Sequence, residues 1–231
     1  MALGTALTAA TTVSTTAGLQ TINLNGDGIS AVQALVGSGK LTVFLMSNEY
    51  DYEGNEPTSG GDFTRIKIYY TEYTSTGRDP RIGITMDDSA TAILFAEGSG
   101  NDDDGYILNA NIDDTVNWTT LRGDVDTVGG TRNVSFSNST TGVYAYHAPG
   151  RGSDIIRDIR RSFFVFDLSG VSGTVASSNF SFYMDNFGST GDAAKVIAVQ
   201  GTALEGSTAD YGNCFVADAV AVTDNATFFG A

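Results

Sequence analysis

A single cysteine, Cys214, and a single histidine, His147, stand in this chain. One cysteine excludes an internal disulfide framework and mildly favours cytosolic synthesis. A thiol nucleophile would depend on His147 as its base, and so would a Ser-His-Asp triad. No G-x-S-x-G elbow occurs. Zinc sites draw on several His or Cys ligands, and only these two residues are present. His147 is therefore expected at a strand end or an interface, and Cys214 in a core. Proline is also scarce, 3 residues against 28 glycines, so glycine supplies the turn punctuation. No apolar run approaches the roughly 18 residues of a membrane span. The first twenty residues lack a basic region, and threonines interrupt their apolar runs, which does not fit a signal peptide.

Basic residues are outnumbered as well. Twelve Lys and Arg face 27 Asp and Glu, for a formal net charge of -15. Such a surface repels phosphate backbones, which argues against nucleic acid as a partner. It favours divalent cations or a basic partner. The only basic concentration is Arg151, Arg157, Arg160 and Arg161, within eleven positions. These arginines are candidates to pair with acidic loops of a neighbouring subunit. Pairing within the chain, with Asp154 and Asp158, is the equal alternative.

What is present is strand pattern. LTVFLM at 41–46 is a continuous apolar run suited to a buried strand. Residues 63–73 alternate, with Ile66, Ile68 and Tyr70 on one face. Ile82, Ile84 and Met86 repeat the alternation, as do Phe180, Phe182 and Met184. Further strands are expected at 92–96, 116–121, 142–146, 163–168 and 194–200. Residues 29–36 fit a short helical turn, and 154–161 offer a helical alternative. Residues 48–62 and 101–105 read as loops or turns. Short strands with Gly-rich turns and no helix of ordinary length predict an all-β antiparallel sandwich, jelly-roll-like. Residues 1–38 read as an extended arm, held by neighbouring copies or lying on its own domain. Residues 39–110 form a β-rich region, with a separate small β domain as one option, and 111–231 form a jelly-roll-like sandwich.

The segment RSFFVFDLSGVSGTVASSNFSFY at 161–183 resembles the DNRLRE type of jelly-roll domain, in which a strand ends in F-D-L-S and the next returns with alternating apolar residues. Phe164 and Phe166 would fill the core, while Asp167 and Ser169 would cap the turn. The chain reads Ser178-Asn179-Phe180 where that pattern often has S-A-x-L. Such domains are similar to carbohydrate-binding sandwiches and occur in virion proteins of marine and cyanobacterial tailed phages. The run at 195–204 and the segment 209–212 look like the phage versions. The resemblance covers residues 111–231 and adds nothing to the first 110. It implies a virion component, a capsid decoration or a tail or fibre protein. Such a protein would be made in the host cytoplasm and contact copies of itself and other virion proteins.

Three further groups of residues carry polar or aromatic side chains suited to chemistry or binding. Asn101, Asp102 and Asp104, with carbonyls near Gly105, supply the hard oxygen ligands calcium takes, though not in an EF-hand pattern. A solvated acidic turn is the competing outcome. Asp87-Asp88, Asp102–Asp104 and Asp113-Asp114 are adjacent carboxylates in expected turns, poorly placed for a facing catalytic pair. Tyr50, Tyr52, Trp118, Tyr144 and Tyr146 could form a platform for sugar rings, in a carbohydrate-binding module or adhesin; aromatics on strands more often fill cores. No catalytic set emerges, and the expectation is a structural or binding protein without an enzyme activity.

Overall fold

The computed structural model describes residues 5–14, 16–58, 63–69, 76–96, 104–111, 117–123, 131–135, 140–149, 155–190 and 195–201. The protein is all-β and antiparallel. In chain order the elements are β1 (Thr11–Thr12), β2 (Gly18–Asn23), α1 (Gly26–Leu35), β3 (Lys40–Ser47), β4 (Phe63–Tyr69), β5 (Arg81–Met86), β6 (Thr91–Phe95), β7 (Asp104–Asn111), α2 (Trp118–Gly123), β8 (Thr131–Ser135), β9 (Thr140–Pro149), β10 (Ile155–Asp167), β11 (Val175–Thr190) and β12 (Lys195–Gly201). A single π-helical turn, Asn48–Tyr52, follows β3. The main path of the sheet runs β1-β12-β3-β10-β9-β4-β11-β5-β6. Strands from the 39–110 region and the 111–231 region are therefore interleaved in one hydrogen-bonded sheet. No helix among the described residues is long and apolar enough to cross a membrane.

Two long strands make the sandwich. β10 pairs with β9 along Ile155 to Arg160 and with β3 along Ser162 to Asp167, while β7 runs along its other edge. β9 and β3 thus follow one another on one edge and part at Arg161. β11 behaves alike: β5 pairs from Val175 to Ser181, β4 from Met184 to Thr190, and β2 takes the other edge. A register shift between Met184 and Asn186 follows the change of partner on β11, inside the β4 pairing. The sheet can fold over because these strands bend where the partners diverge.

The enclosed core follows the predicted alternation. Ile66 and Ile68 of β4, Ile82 and Ile84 of β5, and Phe180, Phe182 and Met184 of β11 are buried in it. They meet Val43, Leu45, Phe164, Phe166 and Val196 from the facing strands. The Phe164 and Phe180 rings lie 5.3 Å apart, linking β10 and β11, which are not sheet neighbours. β3 is buried along both faces, as its continuous apolar run predicts, with Phe44 against Phe163 on the outer side. At the end of β10, Asp167 accepts a 2.8 Å hydrogen bond from the Ser169 amide, and the Ser169 hydroxyl first and this amide second hold its carboxyl below the usual range. Phe164, Phe166 and the Asp167 turn thus take the places expected from the sequence.

Four segments depart from expectation. Residues 5–36 contain a ten-residue helix, α1, rather than a single turn in an extended arm. Asn25 caps it by accepting from the Gly28 amide at 2.8 Å, and donates to the Ala6 carbonyl at 2.9 Å. This arm lies on its own domain: Leu7 and Val13 are buried, and the Leu7 amide donates to the Ala198 carbonyl. Residues 118–121 are helical, not a strand, because Asn117 caps them through its side chain to Thr120 at 2.9 Å. The 48–62 loop opens with the π-helical turn. Residues 155–161, the helical alternative, are strand, since their backbone is hydrogen-bonded to β9 on one edge and to β7 on the other.

Candidate functional site

One outer face of the sandwich, formed by β2, β11, β5 and β6, presents a shallow groove of about 440 Å³. Its rows are fixed by register. Thr21, Ser181, Arg81 and Phe95 face one another across the four strands. The next row places Asn179, Gly83 and Ile93 side by side. Thr85 and Thr91 close the end. Gly83 makes the hollow: a Cβ there would stand 3.0 Å from the Asn179 Oδ1. The Thr21 and Ser181 hydroxyls lie 2.9 Å apart, and Ser181 donates to the Asn179 Oδ1 at 3.5 Å. The polar groups are thereby linked into a fixed line. The Arg81 guanidinium has no ion-pair or hydrogen-bond partner among the described residues. Ile93 and Phe95 rim the groove at 61% and 47% exposure.

The arginine concentration divides by strand face. Arg161 and Asp51 are both 0% exposed. They form a two-toothed ion pair, Nε to Oδ2 at 2.7 Å and an η-nitrogen to Oδ1 at 2.8 Å. The same η-nitrogen donates to the Arg122 carbonyl at 2.7 Å. Arg122 in turn donates to the carbonyls of Asp51 and Tyr52. Asp51 sits in the π-helical turn and Arg122 in α2, so this cluster fills the fork where β3 and β9 separate. Arg157 donates to Glu56 at 2.7 Å. Arg160, on the opposite face, lies between the rings of Tyr106 and Tyr144, 4.4 and 4.8 Å from their centroids. The interface expectation for Arg161 is corrected: a fully buried guanidinium cannot meet a neighbouring subunit. Among the described residues Arg161 pairs with Asp51 and Arg157 with Glu56; Asp158 feels the Arg160 charge, and Asp154 lies outside the described residues. Asp158 is pushed up to about 6 by burial, which the Arg160 charge only partly offsets. Its Oδ1 is buried without a partner among the described residues. Arg151 lies outside the described residues.

No protein-family model, curated protein or solved structure matches the chain.

The aromatic platform is not assembled. Tyr50 and Trp118 are buried with Leu121, Ala145 and Ile159 in a small second core, and the Trp118 indole donates to the Tyr50 carbonyl at 3.0 Å. Tyr144 and Tyr146 belong to the other face of β9, where the Arg65 and Arg160 guanidiniums lie over Tyr144. Only Tyr146, at 38%, is an exposed large aromatic of the set, and Tyr52 is half-buried. The physical reason is that the α2 and π-helical turns fold down over β9 and β10, taking the bulky rings inward. His147 is likewise buried. Its Nδ1 donates to the Pro57 carbonyl at 2.8 Å and lies 3.3 Å from Glu56 Oε1. A carbonyl only accepts, so Nδ1 carries the proton. Asp104 opens β7, while Asn101, Asp102, Asp113, Asp114 and Cys214 lie outside the described residues. Asp87 and Asp88 are exposed in the β5–β6 turn. No group of three His, Cys, Asp or Glu suited to a metal occurs among the described residues.

The groove escaped sequence reasoning because its residues come from strands up to 160 positions apart, as Thr21 and Ser181 are. The one available signal was Gly83, a glycine inside an alternating strand.

Proposed function

We propose that the protein is a structural component of a tailed-phage particle, acting through contacts with copies of itself and with other particle proteins. The observation that carries this is the edge strand β6. It ends the main sheet path and pairs only with β5 among the described strands. It holds five residues, TAILF, without charge or proline, and two of its large apolar side chains are exposed. An edge of this kind is unguarded against strand addition and suits a chain that meets neighbours in an assembly. The β10–β11 segment, with its Asp167 turn, adds the resemblance to phage jelly-roll domains. The buried charges support the same view: Asp51, Arg161 and Arg122 hold the fold together, and none is left to act on a substrate.

Mass spectrometry of purified particles, together with light scattering of the isolated chain, tests this. Presence in the particle and self-association weakened by Ile93→Lys are expected. A chain that stays monomeric and is absent from every particle overturns the proposal.

A further inference from the structure

We propose that the groove on the β2-β11-β5-β6 face is a binding site for a small acidic saccharide, with Arg81 receiving its carboxylate. This goes beyond a role in assembly and does not depend on it: the ligand lies on the strand faces and strand addition uses the backbone edge of β6, with Ile93 common to both, so Arg81→Gln and Asn179→Ala rather than Ile93→Lys test the groove.

Charge is the first observation. Segments 18–23, 81–86, 91–95 and 175–183 contain one charged residue, Arg81. In a chain of net charge -15 the centre of this face is therefore cationic. Surface arginines of acidic proteins ordinarily find a carboxylate of their own. This guanidinium has none among the described residues, and its planar fork matches a carboxylate in two-point contact. Asp87 and Asp88 are carboxylates of the same hairpin, but they stand in its turn, beyond Met86.

The second observation is the chemistry around Arg81. Ser181, which is buried, and Asn179 stand beside it, with Thr21, Thr85 and Thr91 around the hollow. Hydroxyls both donate and accept, and an amide offers one acceptor and two donors. That mixture suits neighbouring hydroxyls of a sugar, whereas a bare anion needs donors alone. The Ile93 side chain offers an apolar surface for the C–H face of a ring. Gly83 leaves the depth a ring needs, and the Thr21–Ser181–Asn179 line fixes the polar groups before a ligand arrives.

Nuclear magnetic resonance titration of the full chain with galacturonic acid and N-acetylneuraminic acid is the test, with galactose and acetate as controls. The acidic sugars should shift amides of residues 81–83, 91–93 and 179–181. Galactose and acetate should each bind at least about tenfold more weakly, and Arg81→Gln should weaken the acidic sugars by a similar factor. Asn179→Ala should weaken them too, and it keeps the test open should Arg81→Gln fail to fold. Acetate binding as well as the acidic sugars, equal binding of galactose, shifts elsewhere, or affinity untouched by both substitutions would each overturn the proposal.

Discussion

Asp51→Asn is the substitution that most directly probes how this sandwich is held. Asp51 and Arg161 are wholly buried, 110 residues apart in sequence, and joined by two short hydrogen bonds. Neutralising Asp51 takes the carboxylate out of this buried two-point contact. Removing one member of a buried pair typically costs about 3–5 kcal/mol, much of it the penalty of the stranded charge. For a chain of this size each kcal/mol moves the melting temperature by roughly 2–4 °C, so a fall of about 6–20 °C is expected. Arg161→Met should cost a similar amount. The double variant, Asp51→Leu with Arg161→Met, should recover a large part of the loss, because the two charges of the pair leave together and Arg122 keeps its bonds to the Asp51 and Tyr52 carbonyls. Thermal melts followed by circular dichroism, with urea unfolding as a second measure, give the four corners of this cycle. A fall below about 1 kcal/mol for Asp51→Asn, or strictly additive costs in the double variant, would refute the idea that the pair pins the fork.

Burial raises the Asp158 carboxyl to about 6 from 3.8, so the folded chain keeps a proton that the unfolded chain releases. That favours folding below about pH 4 and is lost as pH rises to 6, a change of about 3 kcal/mol. Asp158→Asn should therefore gain stability over wild type across that window and hold the gain at pH 7; equal melting temperatures at pH 7 would contradict it. Asp185, held low mainly by the Tyr69 hydroxyl and also by Lys67, works in the opposite sense, so the difference between variant and wild type is the quantity to read. Gly28→Ala drives a Cβ into the Leu7 carbonyl oxygen, and the arm must shift; a loss of about 1–3 kcal/mol and earlier protease cutting within residues 5–14 are expected. Asn25→Ala removes the α1 cap and the bond to Ala6, and a melt should show about 1–2 kcal/mol lost.

Strands whose two faces differ in polarity were readable from the chain. β4, β5 and β11 each alternate, and each buries the face the alternation picks out. β3 was readable for the opposite reason, an unbroken apolar run that ends up covered on both sides. α2 was not: Trp118, Thr119 and Thr120 favour strand, and only the Asn117 cap tips them to helix. The arginine concentration looked like a surface feature because its partners are remote. Asp51 and Glu56 precede Arg161 and Arg157 by about a hundred residues, and no local pattern joins them. The outer groove was hidden for the same reason, since a hollow depends on register between strands.

The position of β3 also governs how the chain can be made. Its neighbours in the sheet are β10 and β12, and β12 begins at Lys195. About 150 residues must be synthesised after Met46 before both edges of that apolar strand are covered. At typical elongation rates this is an interval of roughly 10–30 s. For that time the ribosome carries a naked LTVFLM segment that can pair with any exposed strand. Chaperone capture of the nascent chain is therefore expected to raise its yield, and slowing translation to increase its aggregation.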